Sequence, residues 1–352
     1  MEISKLSKLI TPSGTMAISN KARILREQGK PVIGFGAGEP DFPTPEYVIK
    51  DVQVAAEDTS NHKYSPVAGL TILKEEIVRT SELYSGININ QENVLVSNGG
   101  KHAILTTFMS ILNPGDEVLI PSPYWTTYPE AVKISGGNPV IVDTEFGDDF
   151  KINTDQLDAL KTSRTKVLVW VSPSNPTGVV YTKEEAEKIY TWAFENNVWI
   201  LSDELYEHLV YEGKTSPSPA QYDTGLKNTI VINGVAKAYS MTGWRVGWII
   251  ANTEVIDMAK KIQSHATSNV SNISQIAAYS ALKNGLDQTE LMKESFNRRR
   301  LHAIEEFSNI ENINLIKSTG AFYLFPDVSY YSSSGVISGV HNSIDFCNWL
   351  LD

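Results

Sequence analysis

The chain has 352 residues, 41% of them hydrophobic, which is enough for one large α/β core and a smaller lobe, with no tract that reads as disordered linker. Its 30 Lys and Arg against 41 Asp and Glu give a net charge of −11, which argues against a nucleic-acid partner or an anionic membrane surface. Cys347 is the single cysteine, which excludes an intrachain disulfide, a Cys-x-x-Cys redox pair and a cysteine zinc cluster, and fits a reducing compartment.

Met1-Glu-Ile-Ser-Lys5 lacks the charged head and long apolar run of a secretory signal, and no apolar stretch approaches membrane-spanning length; a cytoplasmic protein is expected. Residues 18–28 have a helical pattern with Ile24 and Leu25 apolar. Val32-Ile-Gly-Phe35 is a short extended run that leads into Gly34-x-Gly36-x-Gly38. That spacing invites a dinucleotide-binding fingerprint, but Glu39 stands where the third glycine is needed and no strand-turn-helix unit follows.

From Glu92 on, seven apolar runs of strand length recur: Val94 to Val96, Glu117 to Ile120, Val140 to Val142, Lys166 to Val171, Val198 to Leu201, Thr229 to Ile232 and Trp248 to Ile250. Helical patterns fall between them at Lys101 to Leu112, Thr126 to Ile134, Thr154 to Leu160 and Lys183 to Glu195. The alternation predicts an α/β fold with a mostly parallel seven-stranded sheet sandwiched by helices, and runs that are apolar on both faces suit buried parallel strands. Helices over Thr253 to Ser264, Ile273 to Lys283 and Gln288 to Phe307 then carry the chain toward the smaller α/β lobe. The basic run Arg298-Arg-Arg300 reads as a solvated face of the last of these helices, near Glu305 and Glu306. Gly320-Ala-Phe-Tyr-Leu-Phe325 reads as a strand. The chain ends at Asn348-Trp-Leu-Leu-Asp352, inside a further helical pattern, and a continuation is expected.

In open α/β sheets ligands sit beyond the carboxyl ends of the strands, and the conspicuous polar residues fall there. Gly99-Gly100-Lys101 follow one run, Asn175 another, Asp203 a third and Lys237 a fourth. The two glycines open the helix that starts near Lys101, so free amides and the helix dipole would face an anion there. Gly213-Lys214-Thr215 ends like a nucleotide-binding loop, but His208 stands where the earlier glycine is needed, and a hairpin turn is expected instead. Lys237 lies among Val235, Ala236 and Ala238, with Arg245 eight positions on. Burial and a nearby positive charge would lower its pKa and make it a nucleophilic amine, although a surface lysine in a loop stays open on this stretch alone. Asp203 is likewise open to a helix-capping role, and Trp125 to one as a core side chain.

Five blocks, in order, carry a resemblance: Ala37-Gly-Glu-Pro-Asp-Phe42, Ser122-Pro-Tyr-Trp125, Ser172-Pro-Ser-Asn-Pro-Thr-Gly178, Ser202-Asp-Glu-Leu-Tyr206 and Lys237-Ala-Tyr-Ser-Met-Thr-Gly-Trp-Arg245. Together they resemble the class I aminotransferases, nearest to the bacterial-type aspartate enzymes, over residues 13–325 or so. The resemblance implies pyridoxal 5'-phosphate as cofactor and no metal. It gives Lys237 the role of the amine that bonds the cofactor and later moves a proton, and Asp203 that of the carboxylate partner of the ring nitrogen. Asn175 and Tyr206 would bind the ring hydroxyl oxygen, and Trp125 would stack on the ring. Gly99, Gly100, Lys101 and Arg245 would hold the phosphate, with Tyr64 reaching it from the second subunit of a homodimer. Gly38, Lys101, Trp125 and Asn175 would meet the substrate, Lys101 at its distal carboxylate.

The same resemblance implies a large cofactor-binding domain over 47–295, with 1–46 and an incomplete 296–352 forming the small one. The reaction implied is transfer of an amino group from aspartate or a similar dicarboxylic amino acid to a 2-oxo acid such as 2-oxoglutarate, with ping-pong kinetics. The alternatives are a lyase or synthase using the same cofactor and fold, and a catalytically impaired fragment that retains the fold. Related enzymes grip the substrate's α-carboxylate with an arginine near the carboxyl terminus, in a segment resembling Arg-x-Ser; here the last arginine is Arg300.

Overall fold

A computed structural model describes residues 2–12, 14–36, 38–213, 216–333 and 335–352. The expected turn at Gly213-Lys214-Thr215 falls partly outside them, since Lys214 and Thr215 are not described. Helices α1 (Lys5–Leu9), α2 (Gly14–Glu27), α3 (Glu46–Glu57) and α4 (Thr71–Ser85) precede the sheet. Then come β1 (Val94–Ser97), α5 (Gly100–Ile111), β2 (Glu117–Pro121), α6 (Thr127–Ile134), β3 (Asn138–Val142), α7 (Thr154–Leu160), β4 (Thr165–Val171), α8 (Lys183–Glu195), β5 (Trp199–Asp203), β6 (Thr229–Gly234) and β7 (Gly247–Ile250). Three helices follow, α9 (Thr253–Ala266), α10 (Asn272–Lys283) and α11 (Asp287–Ser308). Among the described residues no helix is long and apolar enough to cross a membrane.

All seven apolar runs form one sheet, in the order β1-β7-β6-β5-β4-β2-β3. The pairs from β3 through β6 are parallel; α6, α7 and α8 carry the chain from β2 to β3, β3 to β4 and β4 to β5, and the long segment 204–228 carries it from β5 to β6. β7 is antiparallel to both β6 and β1; residues 235–246 turn directly back from β6 to its neighbour in the sheet, without a long crossover. Alternate side chains go to opposite faces. Leu95, Val118, Val167, Leu201, Ile230 and Ile249 bury against α5, α6 and α9. On the other face, Val94, Val231, Trp248 and Ile250 meet α4 and α10, while Leu119, Leu168 and Ile200 meet α7 and α8. Both faces are therefore covered, which explains why the sequence runs are apolar without alternation.

One expectation fails and another holds only in part. Gly320 to Phe325 is not a strand: Gly320 makes one isolated bridge to Val210, and Ala321 takes a left-handed φ of 54° that ends any extended run. Phe322 and Tyr323 then pack together beside Tyr206, where a strand would send them to opposite faces. A short ladder forms on either side, between β8 (Asn314–Leu315) and β9 (Pro326–Asp327). The basic run is a solvated face only at Arg298 and Arg299, which are exposed; Arg300 is 6% exposed, its guanidinium lying 2.7 Å from Glu212 and over the Tyr211 ring. Arg299 pairs with Asp41 at 2.8 Å. After β9 come α12 (Ser329–Ser333) and α13 (Ser343–Leu351), and α13 packs on α2, with Lys21 meeting Asp352 at 2.7 Å.

Candidate active site at the carboxyl edge of the sheet

The turn between β6 and β7 is anchored from below by Val235, Ala238, Tyr239, Met241 and Val246, all buried in the core with α4 and α10. Lys237 is half-buried, and its Nζ donates to the Gly38 carbonyl and lies 5.8 Å and 5.7 Å from the ring centroids of Tyr206 and Phe322. Burial brings the amine down to about 8; the Arg245 charge acts in the same direction, and Glu39 and Asp203 act against it. The 38–39 loop is pinned to this turn a second time, by Thr242 Oγ1 donating to Glu39 Oε2 at 2.9 Å.

β5 delivers Asp203 to the same edge, 3% exposed. Burial raises its carboxyl above the usual range, while hydrogen bonds from the Tyr128 hydroxyl (2.7 Å) and the Leu205 N–H (3.3 Å), together with the Lys237 charge, draw it back. Tyr206 follows on the same segment, 4% exposed, with its hydroxyl 2.5 Å from that of Tyr323 and a side-chain hydrogen bond with Asn175. Burial holds both phenols protonated, Tyr323 up at about 12.

Gly99 closes β1 into α5 with φ +81°, and a Cβ there would come within 2.6 Å of Arg245 Nη2. Gly247 lies so close behind that its Cβ would meet the Gly100 nitrogen at 2.8 Å. Backbone thus packs on backbone, and the first amides of α5, which have no intrahelical acceptor, face the Arg245 guanidinium's side of the edge. Arg245 is exposed and braced by the carbonyls of Thr242 (2.9 Å) and Asn98 (3.5 Å). Lys101 is also exposed, its Nζ 5.1 Å over the Trp125 ring, and Trp125 packs edge-on against Tyr128.

The fold therefore gathers Gly38, Gly99, Gly100, Lys101, Trp125, Asn175, Asp203, Tyr206, Lys237 and Arg245 from distant parts of the sequence onto one edge. It leaves Tyr64 outside this group, 90% exposed. Arg300 is committed to Glu212 and is no free cation for a substrate. Sequence reasoning misses Tyr128, Tyr323 and Glu39; only the aromatic run at 320–325 hints at Tyr323, since contacts made across the fold leave no local pattern. A lowered-pKa amine beside a buried carboxylate and an anion cradle is equipped to attack a carbonyl on a phosphorylated ligand.

The sequence profile of the family described as aminotransferase class I and II matches residues 30–338. An aspartate aminotransferase of Streptomyces avermitilis is 47% identical over 91% of this chain and 78% of its own length. One from Bacillus sp. strain YM-2 is 44% identical over 92% of this chain and 82% of its own. The solved structure of the Thermus thermophilus aspartate aminotransferase with maleate superposes with a TM-score of 0.91 at 37% identity, covering 95% of this chain and 87% of that one. Identity of this degree, sustained from residue 30 to residue 338 and matched by the fold, makes the chain a member of the class I and II aminotransferases.

Proposed function

We propose that the chain transfers an amino group from aspartate or a similar dicarboxylic amino acid to a 2-oxo acid such as 2-oxoglutarate, with pyridoxal phosphate as cofactor. The observation that carries the reading is the placement of a half-buried amine with a pKa near 8, Lys237, in the electrostatic reach of the buried Asp203 carboxylate. The residues fit the cofactor. Arg245 and the Gly99-Gly100 turn form a cradle that any Cβ at Gly99 would fill, suited to a phosphate. Asp203, buried and accepting from the Tyr128 hydroxyl, suits a protonated pyridine nitrogen, and Asn175 and Tyr206 suit the ring hydroxyl oxygen.

When bound, the cofactor supplies an electron sink for charge developing at the substrate Cα. Lys237 Nζ would be the group that holds the cofactor covalently, and its amine, once free, would take and return the substrate Cα proton. Its pKa near 8 leaves a useful fraction unprotonated at neutral pH. Trp125 would cover the ring, Lys101 Nζ, now over the Trp125 face, would meet the substrate's distal carboxylate, and Gly38, beside Lys237, would lie by the other carboxylate. Tyr64 serves a second subunit's phosphate in a cytoplasmic homodimer; the 90–94% exposure of Tyr64 and Phe35 supports an apolar contact between copies. Borohydride should fix the cofactor to the unaltered chain and not to Lys237→Ala, which should also lose aspartate turnover. Fixation of the cofactor in that variant would overturn the proposed role of Lys237.

A further inference from the structure

On the sheet face opposite Asp203, under the Lys237 turn, lies a small cavity lined by Thr80, Ser81, Glu207, His208, Tyr239 and Trp248, among others. Two of its polar groups have no hydrogen-bond partner among the described residues: the Tyr239 hydroxyl and Trp248 Nε1, on side chains only 3% and 4% exposed. Across from them stands the Glu207 carboxylate, which accepts from Ser85 Oγ at 2.7 Å and from Asn233 Nδ2 at 2.6 Å, with His208 Nε2 at 3.3 Å. Asn233 Oδ1 in turn accepts the Gly234 N–H at 2.7 Å.

The donor set defines the occupant. The Trp248 N–H repels a cation, and Glu207 repels an anion. Water alone accepts from Trp248, exchanges a hydrogen bond with Tyr239 and donates to Glu207, and the cavity is polar and wide enough for it. The connectivity defines the consequence. Glu207 sits on the segment that carries Asp203 and Tyr206, whereas Asn233 and Tyr239 flank Lys237 before and after. We infer that ordered water fills this cavity and that, with it, Glu207 is a positioning residue that locks the Lys237 turn in register with the Asp203–Tyr206 segment. The catalytic part of this inference rests on the proposed function; the water site does not.

A crystal structure of the cofactor-loaded protein tests the site directly. Density within hydrogen-bond distance of Trp248 Nε1 and Tyr239 Oη supports it, and a dry cavity overturns it. Glu207→Gln, which keeps the shape and removes the charge, tests the positioning role. It should lower kcat for aspartate about tenfold with KM within about twofold, because a displaced base costs the chemical step rather than substrate binding. The pH midpoint for the borohydride-fixable bond at Lys237 should shift as well. The double variant E207Q/N233D, which exchanges amide and carboxylate across the same hydrogen bond, should recover most of the lost kcat. A fall in Tm with kcat and the pH midpoint unchanged reduces Glu207 to a stabilising group and overturns positioning. If the unaltered chain binds the cofactor but does not turn over aspartate, the functional reading fails, while the density and the shift in pH midpoint still decide this one.

Discussion

Replacing Lys101 with alanine separates recognition of an acidic substrate from everything else at the site. The Lys101 ammonium is exposed at the start of α5 and lies 5.1 Å over the Trp125 ring. A charge-assisted contact with a carboxylate is worth about 1.5–3 kcal/mol, and leaving the Trp125 face gives back about 0.5–1 kcal/mol at an exposed position. The difference, about 1–2 kcal/mol, corresponds to a fall of about five- to thirtyfold in kcat/KM for aspartate. Alanine and phenylalanine have no distal carboxylate, so their turnover should change by less than about twofold, and cofactor affinity should hold. The assay is the ratio of kcat/KM for aspartate to that for alanine, in unaltered and variant protein, with the cofactor dissociation constant measured alongside. Equal losses for acidic and neutral amino acids would refute the reasoning and leave Lys101 as a phosphate-site charge.

Attachment of the cofactor to Lys237 should speed up as pH rises through about 8, and Arg245→Gln should move that midpoint upward, because the guanidinium is one of the groups holding the amine down; stopped-flow absorbance reads both. The same amine binds its proton less tightly when folded than its ordinary 10.5, so its contribution to stability rises with pH between about 8 and 10.5, which denaturant midpoints of the chain and of Lys237→Ala resolve. Gly99→Ala puts a Cβ 2.6 Å from Arg245 Nη2 at a φ of +81°, and should weaken the binding of pyridoxal phosphate about tenfold by displacing the guanidinium, measured by equilibrium titration. Leu119→Ala, fully buried among Leu168, Trp170 and Ile200, should cost about 2–5 kcal/mol in urea unfolding while leaving KM intact.

Much of this architecture is legible before any coordinates. The seven strands are found because each is buried on both faces, so no alternation obscures the apolar run, and the candidate site is legible because the carboxyl ends of those strands gather the polar residues. The antiparallel course of β7 is not legible, since direction depends on what residues 235–246 do in space. Gly320 to Phe325 misleads because its aromatic residues, which favour strands in general, are spent on packing with Tyr206. Arg300 misleads for the opposite reason: a charge in a polar helix looks solvated until its partner, Glu212, arrives from a segment far away in the chain. Tyr128 and Tyr323 join the candidate site through hydroxyls that meet Asp203 and Tyr206; nothing in its local spacing marks Tyr128, and only the surrounding aromatic run hints at Tyr323.

The direct return from β6 to β7 also makes the intervening segment a ruler. Both its ends are clamped in the middle of the sheet, where Gly234 pairs with Gly247 and neither strand has room to slide. Within that fixed span lie the amine of Lys237 and the guanidinium of Arg245, eight positions apart, so the separation of the two cations is set by the length and the buried anchors of the turn. Most surface connections absorb an inserted residue cheaply. Here a single insertion would part the two cations and also shift side chains packed on α4 and α10, so the edge and the core beneath it would both register it.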